Sequence, residues 1–359
     1  MAAVRIQGIA AELEPASVTI RRFRPEVAGE WDRFIASNSQ ATPFHSTAWM
    51  RALQRSFDYE NRSFYTERNG KITGVLPLFL VSNWIIGRCL ISTPFADYGG
   101  ICVEDEESAD ALAAHAVETG VAEKIDFLEL RHKTGKPRPE FHIKDLYVSF
   151  ATELAAEPET QFKRLPRDTR YMIRKGEKAG LELRSGLEQL PEFYELFTLN
   201  WHRFGTPVFS RQWLETLVHE FQGSADLTMA LANGRPVAGV FSFLFRNTLF
   251  PHYSGASPDA NALAANNFIY WGLMKSAINQ GLRRFDFGRS KKGTGAHQFK
   301  SAWNMQVDPL EYQVSMIRRR SPPNFSPANP RFALAANLWS RMPLKATTWL
   351  GPHVVRWFP

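Results

Sequence analysis

Two apolar stretches of the chain open with the same turn. Asn69-Gly70-Lys71 leads into Gly74-Val75-Leu76-Pro77-Leu78-Phe79, and Asn233-Gly234-Arg235 leads into Gly239-Val240-Phe241-Ser242-Phe243. Asn-Gly between apolar runs predicts a β-hairpin, because a type I′ turn needs positive φ at both central residues. Upstream of each turn lies a matching segment, Pro43 to Leu53 and Pro207 to Leu217, with Pro, Ser, Trp and Leu in register. Trp49 and Trp213 stand 21 residues before Gly70 and Gly234 (70 − 49 and 234 − 213). Downstream, Asp97-Tyr98-Gly99-Gly100 answers to His252-Tyr253-Ser254-Gly255, and Ile125 to Arg131 answers to Arg284 to Arg289. Four matches in one order at similar spacing predict an internal duplication. Each copy reads as strand, helices, hairpin, strand, helix and strand, a mixed α/β fold whose mostly antiparallel sheet is flanked by helices. The expected layout is an extension at 1–16, one domain at 17–150, a second at 151–317, and a tail at 318–359.

Composition changes this picture little. A chain of 359 residues, 44% apolar, suits two domains and is long enough to bury a core. Cys89 and Cys102 lack any metal-ligand or CxxC spacing and read as buried thiols of a reducing compartment; no metal site is implied. The first thirty residues show no secretory pattern. The most apolar stretch, Ile72 to Ile91, is broken by Pro77, Asn83 and Arg88 and predicts two strands and a turn. A cytoplasmic protein is expected, with peripheral contact at the inner face of the membrane as an extension of that reading.

Charge adds more. The net charge is +7, and the tail from Arg318 onward carries seven basic residues with no acidic one. The tail also interleaves Trp339, Trp349, Trp357 and Phe358 with Arg341, Lys345 and Arg356. That mixture suits an interfacial membrane segment, though Pro343 and Pro352 limit any helix to short pieces, and packing on the second copy is the alternative. A second basic segment opens the second copy. Pro166 suits a helix start and Gly180 a helix stop, and Arg167, Arg170, Arg174 and Lys178 share one face between them. Together with Lys175 they either bind a phosphate-bearing partner or form a solvated face.

The segments Leu165 to Lys175, His252 to Ala256, Phe285 to Gly288 and Gly293 to Asn304 resemble those of the FemAB-like family, which has two tandem GNAT-like domains. The likeness covers about Ser17 to Met316, and Arg341 to Leu344 brings it nearest the exosortase-associated subgroup. The resemblance implies an N-acyl or aminoacyltransferase that acts on an amine of a cell-envelope or exopolysaccharide precursor. Such a precursor would be anionic, linked through a nucleotide or lipid pyrophosphate, with tRNA as a further partner. Phe299-Lys300 matches the family's Phe-Lys pair, which serves the tRNA end and the reacting ester. The glycine-rich loop that holds the CoA pyrophosphate at a helix start is missing: copy two has Ala256-Ser257-Pro258-Asp259-Ala260-Asn261 there. An aminoacyl-tRNA or another acyl donor is therefore expected, acyl-CoA less so, with no tightly bound cofactor.

The candidate catalytic residues are Lys300, His252, Tyr253 and Asp286. Lys300 either faces the developing oxyanion or caps a strand. His252 is a base or shuttle, or a hydrogen-bonded strand histidine. Tyr253 lies with it where GNAT enzymes splay adjacent strands to make the acyl slot. Asp286 is a substrate-amine anchor or a surface carboxylate. Candidate binding residues are Arg167, Arg170, Arg174, Lys175, Asp97, Tyr98, Arg289 and Phe299. Two rival functions stay open: a CoA-dependent polysaccharide or amino-sugar acetyltransferase, and a non-catalytic adaptor that binds RNA or a membrane-associated assembly.

Overall fold

The computed structural model describes residues 17–133, 136–321 and 330–359. The expected extension 1–16, and Pro322, Pro323 and Pro327 of the proline-rich run, lie outside the described residues. The first copy comprises β1 (Thr19–Arg22), α1 (Ala28–Ser37), α2 (Thr47–Phe57), β2 (Glu60–Asn61), β3 (Phe64–Arg68) and β4 (Lys71–Leu76). It continues through β5 (Phe79–Asn83), β6 (Gly87–Ile91), β7 (Cys102–Val103), α3 (Glu106–Ala122), β8 (Phe127–Arg131) and β9 (His142–Lys144). Then come β10 (Tyr147–Glu153), α4 (Pro158–Arg164), α5 (Arg167–Lys178), β11 (Leu181–Ser185), α6 (Leu190–Arg203) and α7 (Arg211–Glu220). The second copy goes on with β12 (Ala225–Ala232), β13 (Arg235–Phe245), β14 (Thr248–Ala256), α8 (Ala265–Asn279), β15 (Arg284–Lys291), α9 (Gly295–Ser301), β16 (Gln306–Pro309) and β17 (Tyr312–Met316). Helices α10 (Pro330–Arg341) and α11 (Leu344–Val355) close the chain.

The duplication holds for the hairpins, the helices before them and the strands after them. The expected match of Asp97-Tyr98-Gly99-Gly100 with His252-Tyr253-Ser254-Gly255 does not hold: the first lies in the loop past β6 and the second within β14. Asn69-Gly70 and Asn233-Gly234 both turn hairpins, and all four residues have φ between 50° and 74°. Ser46 and Ser210 cap α2 and α7, each accepting a hydrogen bond from the main-chain N–H of the tryptophan three residues on. Those tryptophans, Trp49 and Trp213, are fully buried and meet edge to face, with ring centroids 5.5 Å apart. Arg51 and Arg55 of α2 both reach Glu220 of α7 at 2.6 Å. Equivalent helices thus pack on each other, and one hydrophobic core runs through both copies.

The copies differ at one proline. Strand β13 runs unbroken for 11 residues. In the first copy Pro77, which lacks an N–H donor, separates β4 from β5, and the two halves join different sheets of four and six strands. The stretch from Ile72 to Ile91 therefore forms parts of three strands, where two were expected. The copies also trade strands: β17 pairs with β8 and β9 in the first copy's sheet. Strand β10, which spans the expected 150/151 boundary, lies between β15 and β16 in the seven-stranded sheet.

The tail straps both copies. Gly351 of α11 packs on Val208, Thr347 bonds His202 of α6, and Tyr59 of the first copy donates to the Arg356 carbonyl at 2.6 Å. Pro352 does not end α11, contrary to expectation. The face carrying Thr347, Gly351 and Val355 is buried, and this packing outweighs one lost helical hydrogen bond. No helix among the described residues is long and apolar enough to cross a membrane.

The Trp49–Trp213 contact should be measurable. A double-mutant cycle of Trp49→Phe and Trp213→Phe, read by urea denaturation, should show a coupling of about 0.5–1.5 kcal/mol. Additive losses would mean that the two rings do not join the copies energetically.

Candidate active site

Parallel strands β14 and β15 pair only at Thr248↔Arg284 and Leu249↔Phe285 and then diverge. Both carry a bulge where they separate. His252 is the extra residue of β14 opposite β13, and Phe287 is the extra residue of β15 opposite β10. Bulges bend a strand and re-aim its side chains. His252 and Tyr253 lie on β14 just past the last pair it makes with β15. In the first copy the equivalent β6 and β8 pair over three residues, and the ladder continues through Ser92 N–H to the Glu129 carbonyl at 3.0 Å. The opening belongs to the second copy.

Lys300 on α9 reaches this edge. Its Nζ donates to the carbonyls of Phe287 at 2.5 Å and Arg289 at 2.9 Å, so it does cap a strand. Burial pulls its pKa down to about 8, with Asp97 and Asp286 acting in the opposite direction. The ammonium is thus poised to lose its charge just above neutral pH, and two of its three N–H groups are committed.

Asp97 comes from the first copy. It accepts from the Arg289 N–H at 3.1 Å and pairs with the Arg289 guanidinium at 3.5 Å. Burial by itself would raise this carboxyl, but His252, Arg289 and Lys300 outweigh it and hold it below the usual value. Gly288, at φ +71°, leaves room for it: a Cβ there would sit 2.4 Å from Asp97 Oδ2. Tyr312 locks the arrangement, accepting from Arg289 at 2.9 Å and donating to the Asp97 carbonyl.

Asp286 is 1% exposed, which removes the surface-carboxylate alternative. It accepts from the Tyr98 hydroxyl, the Lys133 ammonium and the Gly288 N–H. The Gly288 bond steadies the bulge. Its other two partners come from the first copy, so Asp286 ties the domains together. Burial, with Asp286 and Asp97 close by, pushes the Tyr98 hydroxyl well up. Beyond Asp286 a cleft of about 430 Å³ opens between the copies, lined by Lys133, Glu153, Arg246, Arg283 and Arg284 among others.

His252 does not titrate near neutrality as expected. Burial lowers its pKa to about 4 despite Asp97, so the ring is neutral at pH 7, and its buried Nε2 has no hydrogen-bond partner. Tyr253 accepts from Trp213 Nε1 at 3.0 Å and is pushed up by burial. Both border a cavity of about 270 Å³ beneath the α6–α7 loop, with Asn200, Trp201, Phe204 and Thr206. Phe299 packs on Tyr270, Phe287 and Trp303, anchoring α9 to the second core.

The basic helix forms close to its expected span, with Pro166 as N-cap and Gly180 at φ +67° past the end. Thr169 donates to the Ala302 carbonyl at 2.5 Å, which sets α5 against the end of α9. Thr169, Ile173 and Gly176 face inward, while Arg167, Arg174 and Lys175 lie on the outer side and Arg170 is half-buried. Arg174 also lies over the Phe162 ring at 5.4 Å. Sequence reasoning missed Lys133 and Tyr312. Both lie far along the chain from their partners, and only a basic residue just after β8 hinted at the first.

Residues 163–301 match the family model described as an acetyltransferase (GNAT) domain. No curated protein matches the chain. Solved structures are similar at low identity. The structure titled FemX is 14% identical with a TM-score of 0.66; the match covers 89% of this chain and 100% of that one. The C-terminal domain of an Agrobacterium fabrum protein named for lysylphosphatidylglycerol synthesis is 14% identical, TM-score 0.54, covering 87% and 95%. A tandem GNAT protein from the clavulanic acid biosynthesis pathway is 10% identical, TM-score 0.52, covering 85% and 100%. These likenesses speak for the fold: the chain has two tandem GNAT-like domains of mixed α/β structure, and its residues 163–301 are similar to the acetyltransferase (GNAT) domain.

Proposed function

We propose that this protein transfers an acyl or aminoacyl group to an amine of a cell-envelope or exopolysaccharide precursor, at the opening between β14 and β15. One observation carries the reading: two bulged strands diverge beside a lysine ammonium whose pKa is drawn down to about 8. The neutral amine attacks the donor's carbonyl carbon, and a C–N bond forms as the carbonyl becomes an oxyanion. The C–O bond to the donor then breaks, and the proton shed by the amine goes to the leaving alkoxide. A positive charge at the strand edge stabilises the oxyanion. The neutral His252 does not serve as a strong base.

The donor in this reading is an aminoacyl-tRNA or a similar ester. The β14–α8 junction supports it, because a short 3₁₀ turn at Pro258–Ala260 carrying Asp259 stands where a pyrophosphate would need glycine and free N–H groups. The name of the Agrobacterium relative, and the FemAB-like resemblance, lean the same way. The exposed cations of α5 seat the anionic part of the substrate, and the chemistry runs on the cytoplasmic side. A CoA-dependent acetyl transfer is the second reading, favoured by the description of the matched family.

The deciding assay offers radiolabelled aminoacyl-tRNA and acetyl-CoA in parallel with nucleotide- and lipid-linked amino-glycan acceptors. Product from aminoacyl-tRNA, with Lys300→Met slowed about 100- to 1,000-fold at unchanged acceptor KM, supports the proposal. Full activity in Lys300→Met would end the catalytic role, and product from acetyl-CoA alone would establish the second reading. The melting midpoint of Lys300→Met at pH 7 should stay near that of the parent chain, since two lost hydrogen bonds and the relieved burial of a charge oppose each other.

The pH dependence follows from the same lysine. Its charge is needed for turnover, so kcat should fall as pH rises through about 8, and Lys300→Arg should move that limb upward. For stability, the folded pKa lies below the ordinary value of 10.5, so between about 8 and 10.5 the unfolded chain binds more protons. Stability should therefore rise across that window relative to Lys300→Met, measured by chemical denaturation at each pH.

For the basic helix, Arg170→Ala with Arg174→Ala should weaken acceptor binding and flatten its dependence on salt. An unchanged salt profile in titration calorimetry would mean that this face is only solvated.

A further inference from the structure

The corner between α10 and α11 presents large apolar side chains and cations together. Leu334 and Leu338, one turn apart on α10, are 61% and 57% exposed, and Trp349 of α11 is 70% exposed. Arg341, Leu344 and Lys345 lie between them around the corner and are exposed as well. Phe204, 68% exposed at the end of α6, adjoins this surface, because Gly205 packs directly on Ala336 of α10. At the far end of α11 the exposed Trp84 meets Trp357 beside Arg356. Helix α11 buries Thr347, Gly351 and Val355 against the domains, so its outward face is what remains.

Exposed Trp and Leu interleaved with Arg and Lys, and without a carboxylate, suit the headgroup region of a bilayer. No Asp or Glu occurs anywhere from 318 to 359. A protein partner with an apolar patch would explain the leucines but leave these cations uncompensated, whereas an anionic lipid surface answers both. We propose that this face docks on a bilayer containing anionic lipid. Phe204 also borders the cavity beside His252 and Tyr253, so docking brings that mouth to the headgroups. On the acyl-transfer reading above, the acceptor is then an amine carried by a lipid.

Flotation of the full chain with vesicles tests the docking without any assay of turnover. The protein should float with phosphatidylcholine vesicles that contain phosphatidylglycerol and stay behind with pure phosphatidylcholine, and added salt should release it. Arg341→Glu with Lys345→Glu should lower partitioning at least about tenfold, from roughly a factor of five per charge near an anionic surface. Leu338→Ala with Trp349→Ala should lower it by a similar factor while the melting midpoint holds. No flotation, or equal flotation on both vesicle types, would overturn the proposal and leave acyl transfer untouched. Self-association by sedimentation that Leu338→Ala and Trp349→Ala dissolve, with no vesicle binding, would give the face to a second copy. A lipid-linked acceptor used no better than its water-soluble counterpart, in the presence of those vesicles, would overturn the presentation of the acceptor while the docking stands.

Discussion

A gap inside a sheet is the constraint around which the second domain is arranged. Where β14 and β15 diverge, main-chain carbonyls and N–H groups lose their ladder partners and must find others, because buried backbone polar groups left unpaired are costly. Lys300 takes two of the carbonyls and Asp97 takes an N–H. The groups that satisfy the gap are thus an ammonium and a carboxylate, and the need to keep the backbone bonded places charge at the opening. The same burial that makes the gap expensive draws the lysine toward neutrality.

This arrangement gives the first copy a purpose without an opening of its own. Its strands β6 and β8 stay paired, and its loop delivers Asp97 and Tyr98 to β15, with Lys133 reaching Asp286 from the end of β8. Asp286 is buried with a cation and a hydroxyl that both come from the other domain. Removing any one of the three would leave the others poorly satisfied in an apolar setting. The Trp49–Trp213 contact and the exchange of β17 hold the two domains in the register this cluster requires. The tail helices bridge both copies from outside, through His202 on one and Tyr59 on the other.

What could be read from the chain alone was whatever local chemistry dictates. Asn-Gly turns demand positive φ, and Pro, Ser, Trp and Leu recur in register ahead of each turn. Pro166 and Gly180 bracket the basic helix. These signals, repeated in order, established the duplication and the mixed α/β fold, while His252, Tyr253 and Lys300 were named from the family resemblance. The expectation that Pro352 would break the tail was a local rule overridden by burial of one helix face.

Tertiary structure decided the rest, because burial and long-range pairing leave no mark in a short window of sequence. Alternation along β15 could place Asp286 opposite its flanking phenylalanines, but not under a lysine 153 residues away. Nothing near His252 announces that its ring is desolvated and neutral, and nothing near Tyr312 announces that it clamps Arg289 and Asp97. Lys300 could be named from its motif, while its two carbonyl partners exist only because β15 bulges at Phe287. The sequence by itself determined which elements form and that they come twice. Which copy opens, and which charges meet at the opening, depended on how two similar domains pack, since those energies belong to contacts between residues far apart in the chain.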